Sequence, residues 1–248
     1  MQTPALLRHV VNFCYPGVCA CCDAIAGDGA TLCPECTKHL HEMESAAACE
    51  RCAMPVARDG DPCPHCEGKG VYPLEKIVRL GVFDDPIRHI IHQAKYHRRW
   101  PLAEFLAERL FEQERVIGLL QQSDVLVPVP LHTWRHIKRG YNQADVIARR
   151  LAKRGKLKTA YPVDRLRPTE TQTHLHSQEK REENIRDAFG LVDERSISGK
   201  HVVIIDDVMT TGATLKEVAR VIRDGKAASI CAIVVAIADP KRRGFEQI

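Results

Sequence analysis

Asp206 and Asp207, followed by Met209, Thr210, Thr211, Gly212, Ala213 and Thr214, are the densest concentration of chemically useful side chains in this 248-residue chain. Adjacent carboxylates accept hydrogen bonds from neighbouring hydroxyls. Threonine hydroxyls and backbone N–H groups around a glycine cradle a phosphate, beside the positive end of a helix dipole. The combination suits a sugar phosphate, with the diol on the acids and the phosphate on the loop. A strand must deliver the acids and a helix must start after the loop. Val202 to Ile205 are four apolar residues in a row, the pattern of a strand buried on both faces in a parallel sheet. Leu215, Val218, Ala219 and Ile222 then fall on one helical face. The plainer alternative is a buried strand with an acidic exit.

A second chemistry is concentrated near the start. Of eleven cysteines, ten precede residue 67, and eight form four C-x-x-C pairs: Cys19 with Cys22, Cys33 with Cys36, Cys49 with Cys52, and Cys63 with Cys66. Each pair lets one tight turn aim two thiolates at a tetrahedral ion, so four pairs imply two closed four-cysteine zinc sites of a structural kind. Sequential pairing is preferred over a cross-braced arrangement, although spacing alone does not decide it. Cys21 could stand in for a neighbour in the first pair, Cys14 reads as a small hydrophobe, and His39, His41 and His65 read as solvated surface. Iron–sulfur ligation, redox chemistry and DNA contact by the ribbon are the alternatives. With few large apolar residues, the segment relies on metal to stay folded.

Composition frames these sites. A hydrophobic share of 44% and a charged share of 27% are those of a globular protein. A net charge of +4 is compatible with phosphorylated partners without requiring them. No apolar run is long enough for a signal peptide or a membrane span, so a cytoplasmic protein is expected, whose cysteines bind metal rather than form disulfides. Gly68, Gly70 and Pro73 divide the chain into a cysteine-rich double zinc-binding module, 1–70, and an α/β domain, 71–248.

Within the second part, Ile77 to Phe83 reads as a strand. Pro86 opens a helix with Ile87, Ile90, Ile91 and Ala94 on one face. His89, His92, Lys95 and Arg98 lie off that stripe; such a face is usually only solvated, but Lys95 and Tyr96 stand out. A helix over Leu102 to Val116 follows, then a strand from Asp124 to Val129. Arg135, Lys138, Arg139 and Gly140 form a basic turn ahead of a helix beginning near Asn142, where a pyrophosphate could be met. Residues 165–187 are polar and weakly periodic, a functional or mobile loop. Ala227 to Ile237 is a further strand, with Cys231 in its core, and the charged tail from Asp239 to Ile248 is expected to fray.

The acidic pair with T-T-G-x-T resembles the motif by which type I phosphoribosyltransferases bind 5-phosphoribosyl 1-pyrophosphate (PRPP). Together, V-P-V-P before R-G-Y-N-Q, T-x-T-Q-T-x-L with R-x-x-N, D-D-V-M-T-T-G-A-T, and the cysteine ribbon in front resemble the ComF/GntX family over nearly the whole chain. The resemblance implies a type I phosphoribosyltransferase-like parallel sheet flanked by helices, with a small N-terminal four-cysteine zinc-ribbon module. Asp206 and Asp207 become the catalytic pair on the ribose hydroxyls, Met209 to Thr214 the phosphate loop, and Lys138, Arg139 and Gly140 the pyrophosphate contacts. Thr171, Gln172, Lys180, Arg181 and Asn184 become contacts of a flexible loop that closes over PRPP. Mg2+ arrives with PRPP, and Zn2+ is structural. The family is implicated in natural transformation and DNA uptake, which brings single-stranded DNA and helicase-like uptake proteins into view as partners. Turnover with an unidentified acceptor, PRPP sensing without turnover, and DNA or partner handling are the readings it leaves open.

Overall fold

The structure is a computed structural model that describes residues 17–96, 99–168 and 183–238, apart from the side chains of Arg135 and Lys138. Five parallel strands form one sheet in the order β1-β7-β6-β2-β3: β1 (Lys76–Val82), β2 (Val125–Pro128), β3 (Lys158–Thr159), β6 (His201–Met209) and β7 (Ser229–Ile237). The pair β4 (Val163–Arg165) and β5 (Phe189–Leu191) forms a separate antiparallel ribbon. Its two strands lie at the two ends of the polar stretch expected at 165–187, of which residues 169–182 lie outside the described residues.

Helices cover both faces of the sheet, as its nearly continuous apolar strands demand. On one face lie α2 (Ile87–Tyr96), α3 (Trp100–Phe111), α4 (Glu114–Gln121) and α6 (Gln143–Gly155), packed on Val78, Leu80, Leu126, Val203, Ile205 and Val235. On the other lies α7 (Ala213–Asp224), packed on Val127, Val202, Ile204 and Val234. The single helix expected over 102–116 is two, α3 and α4. The apolar stripe breaks at the polar Glu112–Gln113 pair, and the chain re-enters a helix at Glu114 so that Val116, Leu119 and Leu120 reach the core.

The cysteine-rich segment is divided between these same two cores. Cys19, Cys33, Cys36 and Leu40 of α1 (Pro34–Ser45) pack with the α2–α3 side. Cys52, Ala53, Met54 and Cys63 pack with the α7 side. Between them α1 lies on β1, where Gly81 admits it: a β-carbon there would stand 3.2 Å from Met43. Arg109 of α3 grips Glu44 of α1 through its Nε, 2.9 Å from the carboxylate, and Arg115 donates to the Glu44 carbonyl at 3.1 Å.

Candidate phosphoribosyl site and zinc centres

The sheet order makes the site. From β2 the chain moves outward through α6 to β3, and from β6 it moves the opposite way through α7 to β7. The two connections therefore diverge above the β2–β6 junction. Such a switch point leaves an open crevice at the carboxyl ends of the strands, where α/β sheets hold their ligands. The loop after β6 and the segment after β2 both border it.

β6 is longer than its apolar core suggests. The expected strand ends at Ile205, but β7 runs beside it to Ile237 and continues to supply ladder partners. Asp206 faces Val234 in register and Val208 faces Ala236, so the two acids sit inside the last part of the strand rather than after it. The loop then turns through Gly212, whose φ of +78° is a conformation that favours glycine and which caps the start of α7. Met209, Thr210 and Ala213 are buried. The Ala213 N–H points at Thr211 Oγ1, 3.4 Å away, and the Lys216 N–H donates to the Gly212 carbonyl at 2.8 Å. Thr211 and Thr214 are partly exposed at the helix start. Hydroxyls, a helix N-terminus and the two acids thus share one rim.

Two partly buried carboxylates in sequence cannot both ionise freely. Burial, then the charge of Asp207, pushes the Asp206 carboxyl up to about 7, against the pull of the Asp207 N–H, Lys95 and Arg165. The Asp207 N–H donates to the Asp206 carboxylate at 2.8 Å. Asp207 pairs with Lys95 at the end of α2, Nζ to Oδ2 3.0 Å. The sequence singles out Lys95 but not its partner, because the two residues lie far apart in the chain and only the packing of α2 brings them together.

The basic turn expected around Arg139 is a short helix, α5 (Thr133–Arg139), started by His132, whose ring Nδ1 accepts from the Trp134 N–H at 3.3 Å, and closed by Gly140. Arg139 is partly buried; it donates to Gln143 Oε1 at 3.3 Å and stands over the Tyr96 ring at 5.7 Å. Asn142 holds the join to α6, capping the Ala144 N–H at 3.1 Å and donating to the Val129 carbonyl at the end of β2 at 2.9 Å. Tyr141, the tyrosine of R-G-Y-N-Q, donates to the Ala94 carbonyl. Chiefly through burial its phenol is raised above its usual range and stays a donor. Lys138's side chain, Thr171, Gln172, Lys180 and Arg181 lie outside the described residues. Asn184 is partly buried just ahead of β5.

The cysteines converge as two sets, Cys19, Cys22, Cys33 and Cys36, and Cys49, Cys52, Cys63 and Cys66, each with its four sulfurs within 4.8 Å of one another. Successive pairs therefore share a site. Cys22 and Cys33, Cys22 and Cys36, and Cys52 and Cys63 stand 3.6 Å apart, and Cys49 and Cys66 3.7 Å. Zinc bonded to sulfur at about 2.3 Å in a tetrahedron sets its sulfurs roughly 3.8 Å apart, so both sets fit the ion. N–H groups of Cys21 and Arg51 point at the first sulfur of each set, both at 3.4 Å. Burial would raise the Cys19 and Cys49 thiols, but backbone N–H groups outweigh it and bring each to about 7, which favours the thiolate a metal needs. Cys21 and the three histidines join neither set among the described residues, and Cys14 lies outside them.

A phosphoribosyl transferase domain model matches residues 99–248, and a double zinc ribbon domain model matches residues 10–67. The DNA utilization protein YhgH of Salmonella typhimurium is 34% identical over 87% of this chain and 94% of its own length. That of Escherichia coli K12 is 34% identical over 90% and 92%. Competence protein F of Haemophilus influenzae is 28% identical over 77% and 84%. The chain belongs to the ComF/GntX family. Its ComF-type architecture is thus a double zinc ribbon joined to a phosphoribosyltransferase-type domain. No helix among the described residues is long and apolar enough to cross a membrane.

Proposed function

We propose that the chain binds PRPP at the β6–α7 edge and uses it in the handling of incoming DNA, in the cytoplasm. The observation that carries this is the placement of Asp206 and Asp207 in the last part of β6, directly before the Gly212 cap of α7, at the sheet's switch point. In this reading the 5-phosphate lies on the loop from Met209 to Thr214 and the ribose hydroxyls meet Asp206 and Asp207. Arg139, Lys138 and Gly140 face the pyrophosphate across the crevice, the loop bearing Thr171, Gln172, Lys180, Arg181 and Asn184 closes above, and the eight ribbon cysteines hold zinc. Mg2+ would arrive with the ligand and would help to offset the pyrophosphate charge.

Transfer would require the C1–O bond to break early, an acceptor nucleophile to bond to C1 in its place, and the departing pyrophosphate to be stabilised. The chain's own contribution is to fix the ribose by its hydroxyls and to present fixed positive charge to the leaving group. The raised Asp206 suits the holding of the ribose, since it can enter protonated and donate to one hydroxyl while Asp207 accepts from the other. DNA enters the reading through the relatives, whose names refer to DNA utilization and competence.

Calorimetric titration of zinc-loaded protein with PRPP and Mg2+ tests the site. Saturable binding, lost in the Asp206→Asn, Asp207→Asn double variant, is expected; a folded wild type that takes up no PRPP overturns it. Pyrophosphate release in the presence of nucleobases, nucleosides or DNA ends then separates turnover from sensing. A single-stranded DNA affinity that falls steeply with salt and with Arg139→Gln is the matching test of the DNA arm.

A further inference from the structure

The end of α2 touches both banks of the crevice. Ala94 receives the Tyr141 hydroxyl and Tyr96 lies beneath Arg139, so the residues flanking Lys95 hold the basic bank. Lys95 itself reaches the acidic bank, at 3.0 Å from Asp207, with only 17% of each side chain exposed. Its ammonium is therefore held on Asp207, on a helix whose neighbouring residues touch the segment that would face a pyrophosphate. It also comes from outside the region matched by the phosphoribosyl transferase model, which begins at residue 99.

We propose that Lys95 is a ligand-binding residue of this site that exchanges partners: it holds Asp207 in the free protein and turns to the pyrophosphate of bound PRPP, releasing Asp207 to the ribose hydroxyls. The proposal rests on the PRPP reading above. Two adjacent carboxylates repel a polyanion, so an uncompensated acid pair would oppose the ligand it is there to hold. A cation already paired with one of them removes that repulsion. A lysine suits the exchange because its charge is compact and its four-carbon stem is flexible, so the head can move from one bank to the other while the helix stays in place.

Two ligands distinguish this exchange from a structural ion pair. PRPP and ribose 5-phosphate share the 5-phosphate and the ribose hydroxyls, but only PRPP offers a pyrophosphate, so ribose 5-phosphate meets Lys95 only as a competitor for Asp207. Calorimetry with Mg2+ on wild type, Lys95→Met and Lys95→Arg is the experiment. Lys95→Met is expected to weaken PRPP about tenfold or more, the scale of one charge-assisted hydrogen bond, and to weaken ribose 5-phosphate, which loses no pyrophosphate contact, markedly less. Lys95→Arg is expected to recover most of the PRPP affinity. Equal weakening of both ligands, or unchanged PRPP affinity, overturns the exchange and leaves the PRPP site standing; a wild type that binds neither ligand overturns the site, and the role of Lys95 with it. Melting curves verify folding, and Lys95→Gln, which keeps a polar head without the charge, serves the same comparison if the methionine variant does not fold.

Discussion

At Asp206 the proposed function keeps a buried acid that costs stability at neutral pH. A carboxyl whose folded pKa is raised from 3.8 to about 7 stabilises the fold fully only below the lower value, and that contribution is lost as pH rises through the higher one. Asp206→Asn is therefore expected to melt higher than wild type at pH 8, with the advantage shrinking toward pH 4. Thermal melts over that range give the sign directly. Gly212 is the second pressure point. With φ at +78°, and with Val71 3.4 Å from where a β-carbon would stand, Gly212→Ala is expected to cost about 1 kcal/mol in urea unfolding and to weaken PRPP. The chemistry of both residues was legible from their types and spacing alone. The pairing of Asp207 with Lys95 was not, because nothing local to either residue signals the other.

Among the elements, Asn142 joins two that the site depends on. Its amide caps α6 through the Ala144 N–H and reaches back to the Val129 carbonyl at the mouth of β2. Asn142→Ala is expected to destabilise by about 1–3 kcal/mol in chemical unfolding, the sum of a lost cap and a lost donor. The helix start near Asn142 was readable because asparagine before a periodic apolar run is a capping signal. The helical form of 133–139 was not, since its seven residues carry basic and aromatic side chains that fit a turn equally well. β6 runs past its apolar stretch for a related reason: a strand's end is set by how far its neighbour accompanies it, and β7 is not adjacent in sequence. The β4–β5 ribbon is not legible in the sequence because three-residue strands leave almost no alternation to detect.

For the molecule as a whole, the cysteines announced two zinc sites but not where those sites would rest. Each ribbon contributes to a different face of the sheet, so metal loss disturbs both cores. Chelation at neutral pH is expected to lower the melting temperature of the entire chain in one transition. Cys52→Ser, at a buried position beside Met54, is expected to act more severely on PRPP binding than Cys22→Ser, at an exposed one, because Cys52 shares its core with Met209 and Ala213. Calorimetric scans with and without chelator decide the first point, and titrations of the two variants decide the second. The join at β1 carries a further consequence. β1 is the outer strand of its sheet, and a bare outer strand recruits other chains. Here Arg79, buried within it, donates to the Ala47 carbonyl. Gln113 answers the Leu80 carbonyl at 3.4 Å, and Met43 lies against Gly81. The ribbon's helix thus acts as a selvedge, finishing the border of the sheet, and a fragment cut at residue 71 would unravel into self-association rather than report on the domain alone.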